Sequence, residues 1–220
     1  MSATPTDRSR QHGTEDLAMD IVTLYTDGGC VPNPGAGGYG AVVISEHQRE
    51  ELSGGFQWTT NNRMELFAAI AGLESLNMPS QVKLVSDSRY LVDAMTQGWA
   101  KRWRDKGWQR TPREKAINAD LWARLLTLCE VHDVHFQWIK GHAGHEMNER
   151  CDALAMAALK RPGLPADEGY ASELGSSYGP EASTTRTPAC SPGAASVSAP
   201  ASGARVRPPQ ATVQMELELS

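Results

Sequence analysis

The sequence predicts an α/β fold with a five-stranded mixed sheet flanked by helices. Three β-type runs come first and are separated only by turn residues, which indicates an antiparallel meander. Strands then alternate with helical segments, as they do where crossover helices join parallel strands. Both patterns lie within residues 19–159, where apolar residues are dense and regularly spaced.

The individual elements follow from the spacing of apolar residues. Apolar runs predict strands at Ile21–Thr26, Gly40–Ser45, Leu52–Gln57, Val82–Ser86 and Val134–Ile139. Helical spacing predicts helices at Met64–Leu76, Ser88–Gln97, Asp120–Val131 and Glu146–Leu159. In the first helix, Leu66, Ile70 and Leu73 form one apolar stripe, and Asn61 or Asn62 is the expected N-cap.

The two ends of the chain differ in composition from its centre. Residues 1–18 are polar and aperiodic, and translation could start at Met1 or at Met19. Residues 161–220 are dominated by Pro, Gly, Ala, Ser and Thr. Such segments bury too little apolar surface to offset their ordering entropy. We therefore expect a disordered extension at 1–18, a folded domain at 19–160 and a disordered tail at 161–220.

Composition excludes several classes of protein. No apolar run reaches membrane-spanning length, and the N-terminus lacks the apolar core of a signal peptide. The cysteines at positions 30, 129, 151 and 190 form no C-x-x-C pair, which favours reduced thiols. We therefore expect a soluble cytoplasmic protein without a membrane partner, and we expect a monomer because no dimer face is evident.

A glycine-rich stretch, Gly35–Gly40, matches the dinucleotide pattern G-x-G-x-x-G. That fingerprint requires a helix directly after the glycines, whereas a predicted strand follows here. We therefore reject a nucleotide site and expect a tight turn between two strands.

Four carboxylates are candidates for one site, and three of them lie where predicted elements begin or end. Asp27 and Asp87 each follow an apolar strand, and parallel strands would bring both to one edge of the sheet. Glu65 is expected in the first turn of the helix between them, and Asp152 lies in the last helix. The two glycines after Asp27 would leave its oxygens unblocked and give a ligand room to approach. Each acid alone would suit a solvated surface, but four of them indicate a shared site.

A shared carboxylate site favours a bound cation. Clustered carboxylates repel one another, and burial would favour their protonation. Oxygen ligands suit Mg²⁺ or Mn²⁺. An alternative is a zinc site made by His142, His145 and Cys151, although no second cysteine completes a familiar ligand set.

Six stretches resemble bacterial ribonuclease H of type I, in the family's order and over residues 19–160. They are Thr26–Cys30, Asn33–Gly40, Thr60–Leu66, Ser86–Ser88, Trp138–His145 and Asn148–Asp152. The resemblance implies the ribonuclease H-like fold. It also implies hydrolysis of the RNA strand of RNA–DNA hybrids, leaving 5′-phosphate and 3′-hydroxyl ends.

The resemblance implies roles for the acids and for one histidine. Asp27, Glu65, Asp87 and Asp152 match the positions that bind two Mg²⁺ ions, with Asp27 shared between the ions. His142 matches a mobile-loop histidine that assists proton transfer or product release.

Further matched positions imply substrate contacts. Residues expected along the minor groove of a hybrid are Cys30, Asn33, Asn61 and Asn62, and those expected to hold a phosphate of the DNA strand are Thr60 and Asn118.

Three positions depart from the family's pattern. Gly29 replaces a frequent serine, and Trp58 stands where an arginine lies near the phosphate pocket. Arg89 replaces a common glutamine and could add a contact to a phosphate or a base edge.

A basic and aromatic segment independently indicates nucleic-acid binding. Between Trp99 and Lys115 the only acids are Asp105 and Glu114. Its basic side chains would meet phosphates while its indoles pack on sugars of the DNA strand. The residues concerned are Lys101, Arg102, Arg104, Lys106, Arg110, Arg113 and Lys115, with Trp99, Trp103 and Trp108.

The end of the chain resembles a short peptide that docks on bacterial replication sliding clamps. Gln214, Met215, Leu217 and Leu219 follow its Gln-Leu-x-Leu-x-Leu pattern, with Met215 in place of a leucine. The alternative is a disordered end.

Two other functions fit part of the sequence. A DNA-directed nuclease or transposase core would use the four acids alone, and a catalytically inactive module would bind hybrids without cleaving them. The asparagines and the basic segment favour a hybrid substrate, and the intact acids favour catalysis.

Overall fold

The computed structural model describes residues 20–46 and 48–177. Within these residues no helix is both long enough and apolar enough to cross a membrane. The elements are β1 (Asp20–Cys30), β2 (Gly35–Ile44), β3 (Arg49–Thr59), α1 (Asn61–Glu74), β4 (Ser80–Ser86), α2 (Arg89–Thr96), α3 (Trp99–Asp105), β5 (Gln109–Thr111), β6 (Glu114–Lys115), α4 (Ala119–Val131), β7 (Asp133–Trp138), α5 (Glu146–Ala158) and α6 (Glu168–Ser177).

The main sheet has the strand order β3-β2-β1-β4-β7. β1 to β3 pair antiparallel, while β1, β4 and β7 run parallel to one another. The predicted five-stranded mixed sheet is therefore confirmed. In the parallel part Thr26 pairs with Ser86, and Ser86 pairs with Trp138, so the carboxyl ends of three strands lie level.

The hydrophobic core lies between one face of the sheet and helices α1, α2 and α4. Leu24 from β1 and Leu84 from β4 are fully buried in one cluster with Trp122 from α4. The apolar stripe predicted for α1 belongs to the same cluster. Because α1 is anchored along its length, the position of its first turns relative to β1 is fixed.

The opposite face of the sheet is covered by α5, and glycines make this contact possible. A Cβ atom at Gly38 would lie 2.2 Å from the carbonyl oxygen of Ala155, and one at Gly40 would lie 2.3 Å from that of Cys151. The expected turn at Gly35–Gly40 is therefore wrong. The glycines lie within β2, where the absence of side chains lets α5 pack directly on the strand.

The chain remains ordered beyond residue 161, so the predicted disorder is wrong for residues 161–177. The Gln57 N–H donates to the carbonyl oxygen of Pro165 at 2.9 Å, and α6 follows. The Asp167 carboxylate is buried and accepts hydrogen bonds from Arg63 and from the Thr59 hydroxyl. Composition does not reveal this segment, because the contacts that attach it are hydrogen bonds and a buried ion pair between residues far apart in the chain. The expectations for residues 1–18, for the tail after residue 177 and for the peptide at 214–219 lie outside the described residues.

Candidate active site

Asp27 lies near the end of β1, where α1 packs against the strand backbone. A Cβ at Gly28 would lie 2.3 Å from the carbonyl carbon of Met64 and 2.5 Å from the backbone nitrogen of Glu65. The expectation that Gly28 leaves room for a ligand is wrong, because α1 fills the space beside this glycine. This close approach is what brings the Asp27 and Glu65 side chains together.

Glu65 reaches the site because of the way α1 begins. The N-cap is Thr60, whose hydroxyl accepts the N–H of Arg63 at 3.4 Å. The predicted asparagine cap is wrong, since the Asn61 side chain instead accepts the N–H of Cys30 at 2.7 Å. α1 has no acidic residue in its first turn, so Glu65 lies one turn further along than expected.

Asp87 connects β4 to α2 and is held at both its backbone and its carboxylate. The Trp138 indole N–H donates to the Asp87 carbonyl oxygen at 3.0 Å, and the Asn148 amide donates to Oδ2 at 3.1 Å. A Cβ at Gly141 would lie 2.3 Å from the same Oδ2. Sequence reasoning did not select Trp138 or Asn148. Asn148 could have been found, because it precedes Asp152 by four residues on one helix face.

Three of the four predicted acids form a cluster. One carboxylate oxygen from each of Asp27, Glu65 and Asp87 lies within 4.8 Å of the other two. Burial is the largest cause that raises the pKa of Asp27 to about 7, and the charge of Asp87 is the second. Burial also raises the pKa of Glu65 well above its usual value, with Asp27 and Asp87 adding to the shift.

The cluster fits a divalent cation. Glu65 Oε2 is buried and has no hydrogen-bond partner, although an unpaired buried carboxylate oxygen is costly. A bound cation would satisfy that oxygen and would favour the ionised carboxylates. Oxygen-only ligands suit Mg²⁺ better than zinc.

Asp152 and His142 stand outside this group of three carboxylates, but both act on Asp27. Asp152 is partly buried in α5, and its charge raises the pKa of Asp27, whereas His142 lowers it. His142 is exposed and has a positive φ of 51°. The zinc alternative finds no geometric support. The Cys151 thiol is buried against the Tyr25 carbonyl oxygen, and no group of three metal-ligating side chains in residues 20–46 and 48–177 includes it.

The residues predicted to line the minor groove separate into two kinds. Asn33, Asn61 and Asn62 are exposed, and the Asn61 N–H donates to the Asn33 side chain at 3.2 Å. Cys30 is buried, and burial raises the pKa of its thiol to about 12. The asparagines therefore present a polar surface, while the thiol packs inside.

Thr60 and Asn118, the residues predicted to hold a phosphate, both form hydrogen bonds with Arg63, a buried residue that sequence reasoning missed. Arg63 is fully buried and donates to Asp167, Asp120 and the Asn118 side chain. Asn118 is itself buried in a left-handed conformation, with φ of 61°, and its amide donates to the Tyr90 hydroxyl at 3.0 Å. Both ends of the Asn118 side-chain amide therefore form hydrogen bonds within the protein. Its backbone N–H donates to Glu173 Oε1 of α6.

Arg89 is the first residue of α2, two positions after Asp87. Its guanidinium carbon is 3.5 Å from the centre of the Trp138 ring, a stacked cation–π contact. The side chain is 61% exposed, so its outer face is open to a ligand. The tryptophan that holds the Asp87 backbone therefore also supports this cation.

The basic segment forms α3 and a small hairpin of β5 and β6. Lys101, Arg102 and Lys106 are exposed. Trp99, Trp103 and Trp108 are partly buried against the hydrophobic core, so packing inside the protein explains much of their indole surface. The basic side chains remain the better candidates for phosphate contact.

Known proteins are similar to this chain in sequence and in fold. The RNase H family model matches residues 19–160. Ribonuclease H of Trichodesmium erythraeum is 57% identical over 149 residues, which covers 68% of this chain and 95% of that protein. Ribonuclease HI of a Synechocystis strain is 60% identical over 150 residues, covering 68% and 94%.

A solved structure agrees with these relatives. The crystal structure of LC9-RNase H1, described as a type 1 RNase H with the type 2 active-site motif, has a TM-score of 0.60 and 30% identity. The match covers 66% of this chain and 74% of that one. The chain therefore belongs to the ribonuclease H family of metal-dependent nucleases, with the ribonuclease H-like fold.

Proposed function

We propose that this protein is an endoribonuclease that hydrolyses the RNA strand of RNA–DNA hybrids and leaves 5′-phosphate and 3′-hydroxyl ends. The observation that carries the proposal is the cluster of Asp27, Glu65 and Asp87, in which a buried carboxylate oxygen of Glu65 lacks a partner. A protein that only bound nucleic acid would gain nothing from acids placed together beside phosphates.

The metal in this proposal is Mg²⁺, with Mn²⁺ as a substitute. Two such ions, held by Asp27, Glu65, Asp87 and Asp152, would supply an activated water and would stabilise the leaving 3′-oxygen. Asp27 would help to hold both ions, and it lies close enough to Asp87 and Asp152 for their charges to raise its pKa.

The surrounding residues position the acids and the substrate. Asn148 and Trp138 hold Asp87 at two points, so that its carboxylate needs little rearrangement to act. His142 is exposed on its loop and acts electrostatically on Asp27, which agrees with a role in proton transfer or product release.

Selectivity for a hybrid comes from groups that contact both strands. Exposed Asn33, Asn61 and Asn62 present amides to the minor groove and its 2′-hydroxyls. Arg89 provides a cation next to the cleavage site, and α3 provides further cations for the DNA backbone.

A cleavage assay tests the proposal. Labelled RNA–DNA hybrid, duplex DNA and duplex RNA are each incubated with Mg²⁺ and with EDTA. We expect cleavage of the RNA in the hybrid only, dependent on metal and abolished by Asp27→Asn. Asp133→Asn, which removes an exposed carboxylate on β7, is the matched control and should remain active. Cleavage of duplex DNA would instead identify a DNA-directed nuclease, and a hybrid bound but not cut would identify a binding module.

Three sequence-based expectations remain part of the proposal. The peptide at Gln214, Met215, Leu217 and Leu219 would dock on a replication sliding clamp, and deletion of residues 214–220 should then abolish clamp binding. Location in the cytoplasm agrees with the free thiols of Cys30, Cys129 and Cys151. A monomer is expected in size-exclusion chromatography with light scattering.

A further inference from the structure

Helix α6 is attached to the catalytic domain by a buried ion pair. The Asp167 carboxylate accepts hydrogen bonds from Arg63 Nε at 2.6 Å and from Arg63 Nη2 at 2.8 Å, and both side chains are 1% exposed. The Thr59 hydroxyl donates to the same carboxylate at 2.6 Å. This anchor fixes the start of α6 beside the residues that precede α1 and α4.

From that anchor, α6 places Glu173 at the start of α4. The Glu173 carboxylate accepts the backbone N–H of Asn118 at 2.5 Å, and Asn118 directly precedes α4. A backbone N–H at the N-terminus of a helix favours an anion, because the helix dipole points its positive end there. In this structure the anion at the start of α4 is the carboxylate of Glu173.

The charges around Asn118 disfavour a second anion. Within this group Arg63 is the cation, and it faces the carboxylates of Asp120, Asp167 and Glu173. Burial raises the pKa of Glu173, as do Asp120 and Asp167, although the Asn118 N–H and Arg63 oppose the shift. A phosphate approaching Asn118 would therefore meet a net negative surface as long as Glu173 stays in place.

We propose that Glu173 is an affinity-determining residue that occupies the anion position of the DNA-strand phosphate pocket and must be displaced when substrate binds. This inference rests on the proposed function and on the expectation, implied by the family resemblance, that Thr60 and Asn118 hold a phosphate of the DNA strand. Trp58 agrees with it, because this exposed aromatic residue, next to Thr59 on β3, supplies no positive charge to outweigh the carboxylates.

Two substitutions of Glu173 separate the effect of its charge from the effect of its contact with Asn118. Glu173→Gln keeps the shape and an oxygen that can accept the Asn118 N–H, while Glu173→Ala removes the contact. We expect the KM for hybrid to fall about tenfold in Glu173→Ala, since a charge-assisted hydrogen bond no longer has to break, and to fall less in Glu173→Gln. The kcat should stay unchanged in both, because neither substitution touches the acidic cluster.

The matched control is Glu168→Gln, which removes an exposed carboxylate from the first turn of the same helix. Its KM should remain that of the wild type. A hybrid with one uncharged methylphosphonate linkage, moved stepwise along the DNA strand, tests the competition directly. At the contacted position the gain from Glu173→Ala should disappear.

The outcomes distinguish this inference from the proposed function. If the wild type cleaves hybrid while Glu173→Ala has an unchanged or higher KM, the inference is wrong and the proposed function stands. An equal fall in KM for Glu168→Gln would also overturn it, because a general charge effect would then suffice. If the wild type does not cleave hybrid at all, the proposed function fails first. Thermal unfolding of each variant shows whether α6 remains attached.

Discussion

Replacing Asp167 by alanine should destabilise the whole catalytic domain. In the folded protein Arg63 is fully buried and is held by two carboxylates, of which Asp167 is buried and Asp120 is 42% exposed. Without Asp167, the guanidinium keeps only the more exposed partner, and the Thr59 hydroxyl loses its acceptor. Removing one partner of a buried ion pair costs about 3–5 kcal/mol, because the remaining charge stays desolvated.

This free energy predicts a measurable shift in melting temperature. For a domain of roughly this size each kcal/mol corresponds to about 2–4 °C, so Asp167→Ala should lower the Tm by about 6–20 °C. Urea unfolding followed by far-UV circular dichroism gives the free energy directly. Asp167→Asn keeps the shape and should cost less, while the exposed control Glu168→Gln should stay within about 0.5 kcal/mol of the wild type.

One result would refute the reasoning. If Asp167→Ala unfolds at the same urea concentration as the wild type and with the same slope, residues 165–177 contribute nothing to the stability of the domain. The ion pair would then not be the anchor of α6, and the inference about Glu173 would lose its basis.

Three further predictions concern pH, packing and catalysis. Burial lowers the pKa of His132, so the unfolded state takes up a proton first as the pH falls below about 6.5. The stability from neutral His132 is complete above that pH and is lost below it, and His132→Gln should flatten the unfolding free energy measured between about pH 7.5 and 5. Gly28→Ala should cost about 1–3 kcal/mol and most of the hybrid cleavage, because its Cβ meets the α1 backbone at 2.3 Å. Gly29→Ala is the control, since its Cβ meets only a flexible methionine methyl at 3.1 Å, and equal losses in both variants would contradict the packing argument. Trp138→Phe removes the N–H that holds Asp87 and should lower kcat about fivefold in steady-state cleavage with KM unchanged, whereas a rise in KM alone would argue against positioning.

Local pattern predicted most of the secondary structure and the positions of the acids. Strand and helix types follow from periodicity along the chain, and Asp27 and Asp87 could be placed at one sheet edge because their strands were expected to be parallel. Glu65 was assigned to the right helix but one turn too early, because the choice of cap depended on a contact. Asn61 turns its side chain to Cys30, 31 residues away, and leaves Thr60 as the N-cap.

The sequence by itself therefore determined which residues belong to each element and which carboxylates lie at strand ends, since both depend on neighbours along the chain. Only the tertiary structure decided which groups meet across the chain. It showed that α1 packs directly against Gly28 and that Cys30 is buried. It also showed that Arg63 pairs with Asp167, 104 residues away. A buried ion pair between distant residues leaves no periodic trace, because its stability comes from desolvated charge and geometry and not from an apolar face.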